Sequence, residues 1–367
     1  MEIENIKTGK ISEKELVNLF GSDAQKKSYE ENRRFVSNHK KTLLTKMQRY
    51  CQIKDLGNRT YKINKVYQYP IPNNFNKMNK SLYKYICPLL LSYLIDGHDE
   101  TRKIDITLGK WAREINMVNQ NYNLVKYNRE DSSKEFQYPI DTINDFYNKA
   151  DDMIDWYITN ALDYLKSAGL IIWRDVYRIN VELSSGEVSI DSQGNIYTDV
   201  TIDSHQASDE EMEYYSKCVS IADSIAGINN ASERYYSEKA QRFNEVLREE
   251  LYKRKIKCVY KTYEAYYVNL DKCKFVLNQF EKLKMDKLIS AFNEEFTNML
   301  VENAGKRFEK NPHNYIYCRD KDDYQSCFEG LCEVTVNSKT EYLGSRIKSS
   351  NFEDGYNLRL NEKRGGK

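Results

Sequence analysis

Histidine is scarce in this chain, with four among 367 residues, at positions 39, 98, 205 and 313. The shortage removes whole classes of chemistry. The paired histidines of a strand-nicking endonuclease are absent, and the single His98–Asp99 pair in "GHDE" offers too few ligands for a metal-dependent phosphohydrolase, so a loop after a helix explains it better. No GxxxxGK[ST] loop exists to cradle nucleotide phosphates. No apolar run approaches the roughly 20 residues of a membrane span. The greasiest piece, "YICPLLLSYLI" at 85–95, has the length of a core helix, and the polar start "MEIENIKTGK" lacks a signal-peptide pattern.

The eight cysteines contain no CxxC pair. His313, Cys318, Cys327 and Cys332 have the right chemistry for zinc, but their spacings lack the knuckles of common structural sites, so buried reduced thiols in a cytoplasm are expected. Tyr235 and Tyr236 would suit a strand-cleaving nucleophile, yet thirty tyrosines make a nearby Arg and Lys unremarkable. The expectation is a protein with no catalytic site, no cofactor, no metal and no membrane contact.

Net charge is nearly absent too, at +1, but its distribution is uneven. Residues 26–85 hold fifteen bases against three acids, a net of +12, while 187–215 hold eight acids and no Lys or Arg. The basic segment reads as a helix, "ENRRFVSNHKKTLLTKMQRY", then a hairpin, "CQIKDLGNRTYKINKVYQY", whose "LGNR" turn joins two alternating runs. The acidic stretch looks like a boundary. Heavy use of Tyr, Asn, Lys and Ile with five prolines fits the coding bias of an AT-rich genome.

The pattern predicts an α+β, mostly α fold in four parts. These are a basic helix-plus-hairpin module (1–75), a central domain (76–203), a mainly helical domain (204–336) and a mobile tail (337–367). In the central domain Pro88 kinks or starts a helix, Thr107 caps a brief helix with Leu108, Trp111, Ala112 and Ile115 inward, and 119–138 reads as polar loop. A long helix over 141–168 turns Ile154, Ile158, Ala161, Leu162 and Leu165 inward and stops at Gly169. Strands follow: "IIWRDVYRINVEL", "EVSI" and "IYTDVTI", separated by "SSG" and "SQGN" turns. Residues 258–277 suit strand and helix equally, and no internal repeat is visible.

"ITLGKWAREI", "ALDYLKSAGLI" and "IIWRDVYRINV" together resemble the supporting helix, third helix and first wing strand of the winged helix-turn-helix superfamily of bacterial and phage DNA-binding proteins. The resemblance covers about a third of the chain. It implies DNA contact by Thr159, Asn160 and Lys166 on the helix and by Arg174 and Arg178 on the wing. The same helix works against that role. Residues 141–163 carry six aspartates and one lysine, which repel phosphate.

The larger expectation therefore falls on Arg33, Arg34, Lys40, Lys41, Lys46, Arg49, Lys54, Arg59 and Lys62, interleaved with Tyr50, Tyr61, Tyr67 and Tyr69; a solvated lysine-rich face and core tyrosines are the blander account. A second basic cluster, Lys253, Arg254, Lys255, Lys257 and Lys261, closes a helix, where cations are stabilising in themselves. The expected function is sequence-specific binding of double-stranded DNA in a phage or plasmid, as a replication initiator or accessory or a transcriptional regulator, with a homodimer as default. The competing expectation is a protein-interaction factor, such as an inhibitor of a host protein, that presents an acidic surface.

Overall fold

The computed structural model describes residues 6–96, 103–190, 196–231, 233–236, 239–280, 285–344 and 347, without the side chains of 184–190, 196–200, 235 and 236. His98, Asp99, the "SQGN" turn and all of the segment 348–367 lie outside the described residues, as do the side chains of Tyr235 and Tyr236.

The chain opens with β1 (Gly9–Ser12), α1 (Glu13–Phe20), α2 (Asp23–Asn32), α3 (Ser37–Met47), β2 (Cys51–Gly57) and β3 (Thr60–Val66). Two capping boxes start the first two helices: Ser12 with Glu15, and Ser22 with Gln25, each side chain satisfying the other's orphan N–H. The strands form an antiparallel sheet of order β1-β3-β2. Leu16, Val17, Leu43 and Met47 pack on one face of it, against Cys51, Tyr61 and Ile63, and make a core of their own. The expected hairpin is present, but the expected single helix is broken. Arg33 closes α2 in the left-handed region (φ 55°) and donates its N–H to Tyr29 O, so a new helix starts at Ser37. The module also gains a third strand and two helices that the sequence reading did not include.

Next come α4 (Phe75–Met78), α5 (Tyr83–Asp96), β4 (Lys103–Ile106), α6 (Leu108–Glu114), α7 (Asn121–Tyr127), α8 (Arg129–Phe136) and α9 (Ile140–Ser167). Pro88 lies inside α5 and does not start it. Thr107 caps α6 as expected, accepting from Lys110 N. The polar segment 119–138 is two helices and not loop. Tyr122, Leu124 and Val125 are buried, and the buried Asn121 amide bridges to Val334 O, Glu341 O and Leu343 N. All five expected inward residues of α9 are buried, and Gly169 (φ 64°) ends it.

After α9 come β5 (Ile171–Ile190), β6 (Ile196–Gln206), α10 (Asp209–Ala226), α11 (Glu233–Tyr236), α12 (Lys239–Tyr252), β7 (Ile256–Tyr267), α13 (Leu270–Leu277), α14 (Met285–Lys310) and α15 (Lys321–Thr335). "SSG" is no turn. β5 runs through it, with irregular register between Glu182 and Ser184 and between Ser185 and Val188, because β6 continues the ladder on the far side. The ambiguous segment 258–277 is both things in succession, most of a strand and then a helix.

The second sheet has the antiparallel order β4-β7-β5-β6. β7 lies between β4 and β5, and one core extends from Met78 to Ile347 through α5, α9, α13, α14 and α15. The boundary expected at 203/204 therefore divides no core. The acidic stretch marks the start of an inserted lobe, α10 to α12, with small clusters of its own around Cys218, Leu251, Phe243 and Val246. The expected tail is docked at its start, where Leu343 and Ile347 are buried. A repeat invisible in sequence is visible in topology: β1-β3-β2 and β4-β7-β5 share one plan, strand, helices, strand, then a last strand placed centrally. The whole is α+β and mostly helical, and among the described residues no helix is long and apolar enough to cross a membrane.

Candidate nucleic-acid interface

Between residues 33 and 66 the chain carries ten bases and a single acid, Asp55. The fold sorts them onto distinct surfaces. Helix α3, "SNHKKTLLTKM", holds no carboxylate; it buries Leu43 and Met47 and exposes Asn38, Lys41, Thr42, Thr45 and Lys46. Each exposed side chain can donate to a base edge or a phosphate.

Arginines gather at the start of α3. Arg59 occupies the β2–β3 turn with Asn58, both at positive φ (59° and 47°), and its guanidinium donates to Arg33 O at 3.1 Å. That bond ties the hairpin tip to the loop carrying Arg33 and Arg34. All three arginines are exposed, and none has a carboxylate partner among the described residues.

Two residues of the expected set have structural employment. Lys40 pairs with Asp55 at 2.7 Å above the Tyr61 ring, which raises the Lys40 pKa and lowers that of Asp55. Arg49 donates to Ile71 O at 2.9 Å, holding the chain as it leaves the sheet. Lys54 and Lys62 project from the sheet face opposite the helices, where the outward positions are also polar. Tyr61 is buried in the core and Tyr50 packs against it, while Tyr67 and Tyr69 contact Phe275; packing accounts for these tyrosines.

The corner at α9 and β5 has another character. Arg174 reaches buried Glu264, and Arg178 donates to Asp105 at 2.6 Å and to Ser204 O. These arginines tie β5 to β7, β4 and β6, so both guanidiniums are engaged within the sheet, while beyond Val181 β5 pairs with β6 alone. Thr159 and Asn160 are half-buried and bond back to Asp155 O and Trp156 O one turn earlier. Lys166 caps the corner through Trp173 O and lies over the Trp173 ring.

The aspartates of α9 are partly spent as well. Asp145 receives Arg307 and Tyr324, Asp151 receives Lys126 and Tyr122, and Asp163 receives the Trp173 indole. Asp152 and Asp155 remain exposed beside Trp156, and partial desolvation together with the neighbouring Asp151 pushes Asp155 up to about 6. In the second basic cluster Lys253, Arg254, Lys257 and Lys261 all have carboxylate partners.

Cys318, Cys327 and Cys332 are buried, and burial raises their thiols, Cys327 to about 11 and Cys332 to about 12. Among the described residues no three His, Cys, Asp or Glu side chains converge as a metal site requires. No protein-family model, curated protein or solved structure matches the chain.

The sequence reading missed Lys10, which the pairing of β1 with β3 places beside Lys62. Its signal was the short alternation "GKIS" before a capping serine.

Proposed function

We propose that residues 9–66 are a double-stranded DNA-binding unit of the winged-helix kind, with α3 as the groove-reading helix and the Asn58–Arg59 tip of the β2–β3 hairpin as the wing contact. One observation carries this reading. α3 has a polar, carboxylate-free outer face, flanked at its start by three exposed arginines with no acidic partner. Asn38, Lys41, Thr42 and Thr45 supply base-edge contacts, while Arg33, Arg34, Arg59 and Lys46 hold phosphates. The wing position thus moves from the α9–β5 corner to the N-terminal unit, where Lys40 alone among the described bases is held in an ion pair. In this reading the protein has no catalytic role and acts in replication initiation or transcriptional control of a phage or plasmid, as a homodimer on paired half-sites.

The test is retardation of duplex DNA from the gene's own upstream region across a salt series. We expect log affinity to fall linearly with log salt, and the double variant R34A/K46A to reduce that slope by about one unit per residue removed. Absence of any retardation at low salt rejects the reading.

Trp156, 57% exposed between the free carboxylates Asp152 and Asp155, favours a second reading, in which this face of α9 receives a basic protein partner from the host. W156A would then abolish recovery of that partner without altering DNA retardation.

A further inference from the structure

The outer face of the N-terminal sheet carries an arrangement that stability alone does not favour. In register, Lys10 of β1 stands directly opposite Lys62 of β3, and Lys62 directly opposite Lys54 of β2. Directly opposed residues of antiparallel strands share a face, so the three ammonium groups form one row across all three strands. Lys65 follows on the same side, opposite Gln52. All four lysines are exposed, and none has a carboxylate partner among the described residues. Like charges placed opposite one another repel, and here no acid lies between them to relieve the repulsion.

The row needs an anion of matching extent. Strands about 4.8 Å apart set the three lysines over about 10 Å, a span on which flexible side chains can follow successive backbone phosphates. The remaining outward positions nearby, Ser12, Gln52, Thr60 and Asn64, are polar, and Leu56, exposed at the bulge before the turn, is the one apolar side chain beside them. No aromatic ring is present to stack an unpaired base, so the face suits a duplex backbone better than a single strand.

Its position decides what it can add. The helices cover the other face of this sheet, and α3 turns its polar side away from the sheet. The α3 face and the lysine row therefore lie on opposite sides of a two-layer unit, and one straight duplex cannot lie on both. We propose that the lysine row holds a second DNA segment without sequence preference, so that a single N-terminal unit bridges two duplexes. This rests on the reading of α3 as the first DNA contact.

The experiment uses the full-length protein, an immobilised 40-base-pair duplex from the gene's upstream region, and a fluorescent duplex of unrelated sequence. Threonine at all three positions (K10T/K54T/K62T) removes the charge while keeping strand propensity. We expect the parent protein to retain the fluorescent duplex at low salt. The triple variant should bind the immobilised duplex within about twofold of the parent, while its salt slope for the second duplex flattens by about one unit per lysine and retention is lost.

Equal retention by the triple variant overturns the proposal, because bridging would then come from two copies of the chain. Loss of the immobilised duplex as well overturns it by assigning the row to the first interface. A parent protein that binds the immobilised duplex and never retains the second also overturns it, as does preferential displacement of the second duplex by a single strand. A parent protein that binds no duplex at all removes the α3 reading first, and the bridge with it.

Discussion

Single side chains in this protein show where charge has a partner and where it does not. Lys62 faces lysines on both neighbouring strands. Opposed like charges cost a few tenths of a kcal/mol per pair, and salt screens them. Lys62→Thr is therefore expected to stabilise the N-terminal unit by about 0.5 kcal/mol at low salt, with the gain vanishing near 1 M salt, as measured by thermal unfolding. Asp145 is the opposite case. It receives the Arg307 guanidinium at 3.1 Å and the Tyr324 hydroxyl, joining α9 to α14 and α15. Asp145→Asn leaves a half-buried guanidinium without its counter-charge and should cost roughly 2 kcal/mol, seen as a lower urea midpoint at unchanged slope.

Elements show which parts of the fold were legible beforehand and why. α9 was readable because its apolar residues recur at helical spacing and Gly169 ends it. At φ 64°, with a Cβ lying 3.3 Å from Lys272 Nζ, Gly169→Ala should cost about 1 kcal/mol. α7 and α8 were unreadable. α7 is held by Asn119 and Asn121 binding the backbone at 334–341, more than 200 residues away in sequence, and α8 by Arg129 donating to Asn144 on α9, contacts that no local pattern announces. Of the candidate interface, its basic character was legible. Its division was not, because the register that aligns Lys10, Lys62 and Lys54 requires β1 to pair with β3.

The start of α10 adds a pH-dependent joint. His205 sits between Asp203 (2.7 Å) and Glu211 (2.9 Å), and its pKa is raised, chiefly by the bond to Glu211. A raised histidine contributes stability that is complete below its unfolded value, near 6.5, and is lost as pH climbs through the folded value. The inserted lobe should thus exchange amide hydrogens faster at pH 8 than at pH 6 after correction for intrinsic rates. His205→Asn should remove that difference. Because the site is partly exposed, the effect stays below about 1 kcal/mol.

For the whole molecule the decisive fact is the position of β7. Composition placed a boundary at 203/204, within the acidic stretch 187–215, yet the strand that completes the second sheet arrives fifty residues later and takes the place between β4 and β5. A lobe of helices has been inserted between β6 and β7, which flank β5 on opposite sides, and an insertion of this kind costs little loop entropy while leaving both strands able to pair with β5. The consequence is cooperativity across the supposed boundary. A chain ending at residue 203 would leave β4 without its only strand neighbour and expose the apolar faces of α5 and α9 that α13 to α15 cover. Such a fragment is expected to show the helix-rich circular dichroism and dye-binding of a collapsed state, without a sharp unfolding transition. Removing residues 209–252 and joining β6 to β7 through a short glycine-serine linker should instead leave one cooperative transition in the remainder, because one of the lobe's clusters is internal to it and the other, which reaches the sheet at Ile179 and Ile256, is separate from the main core. A sharp transition in the truncated chain, or its loss in the linked one, would return the boundary to the acidic stretch.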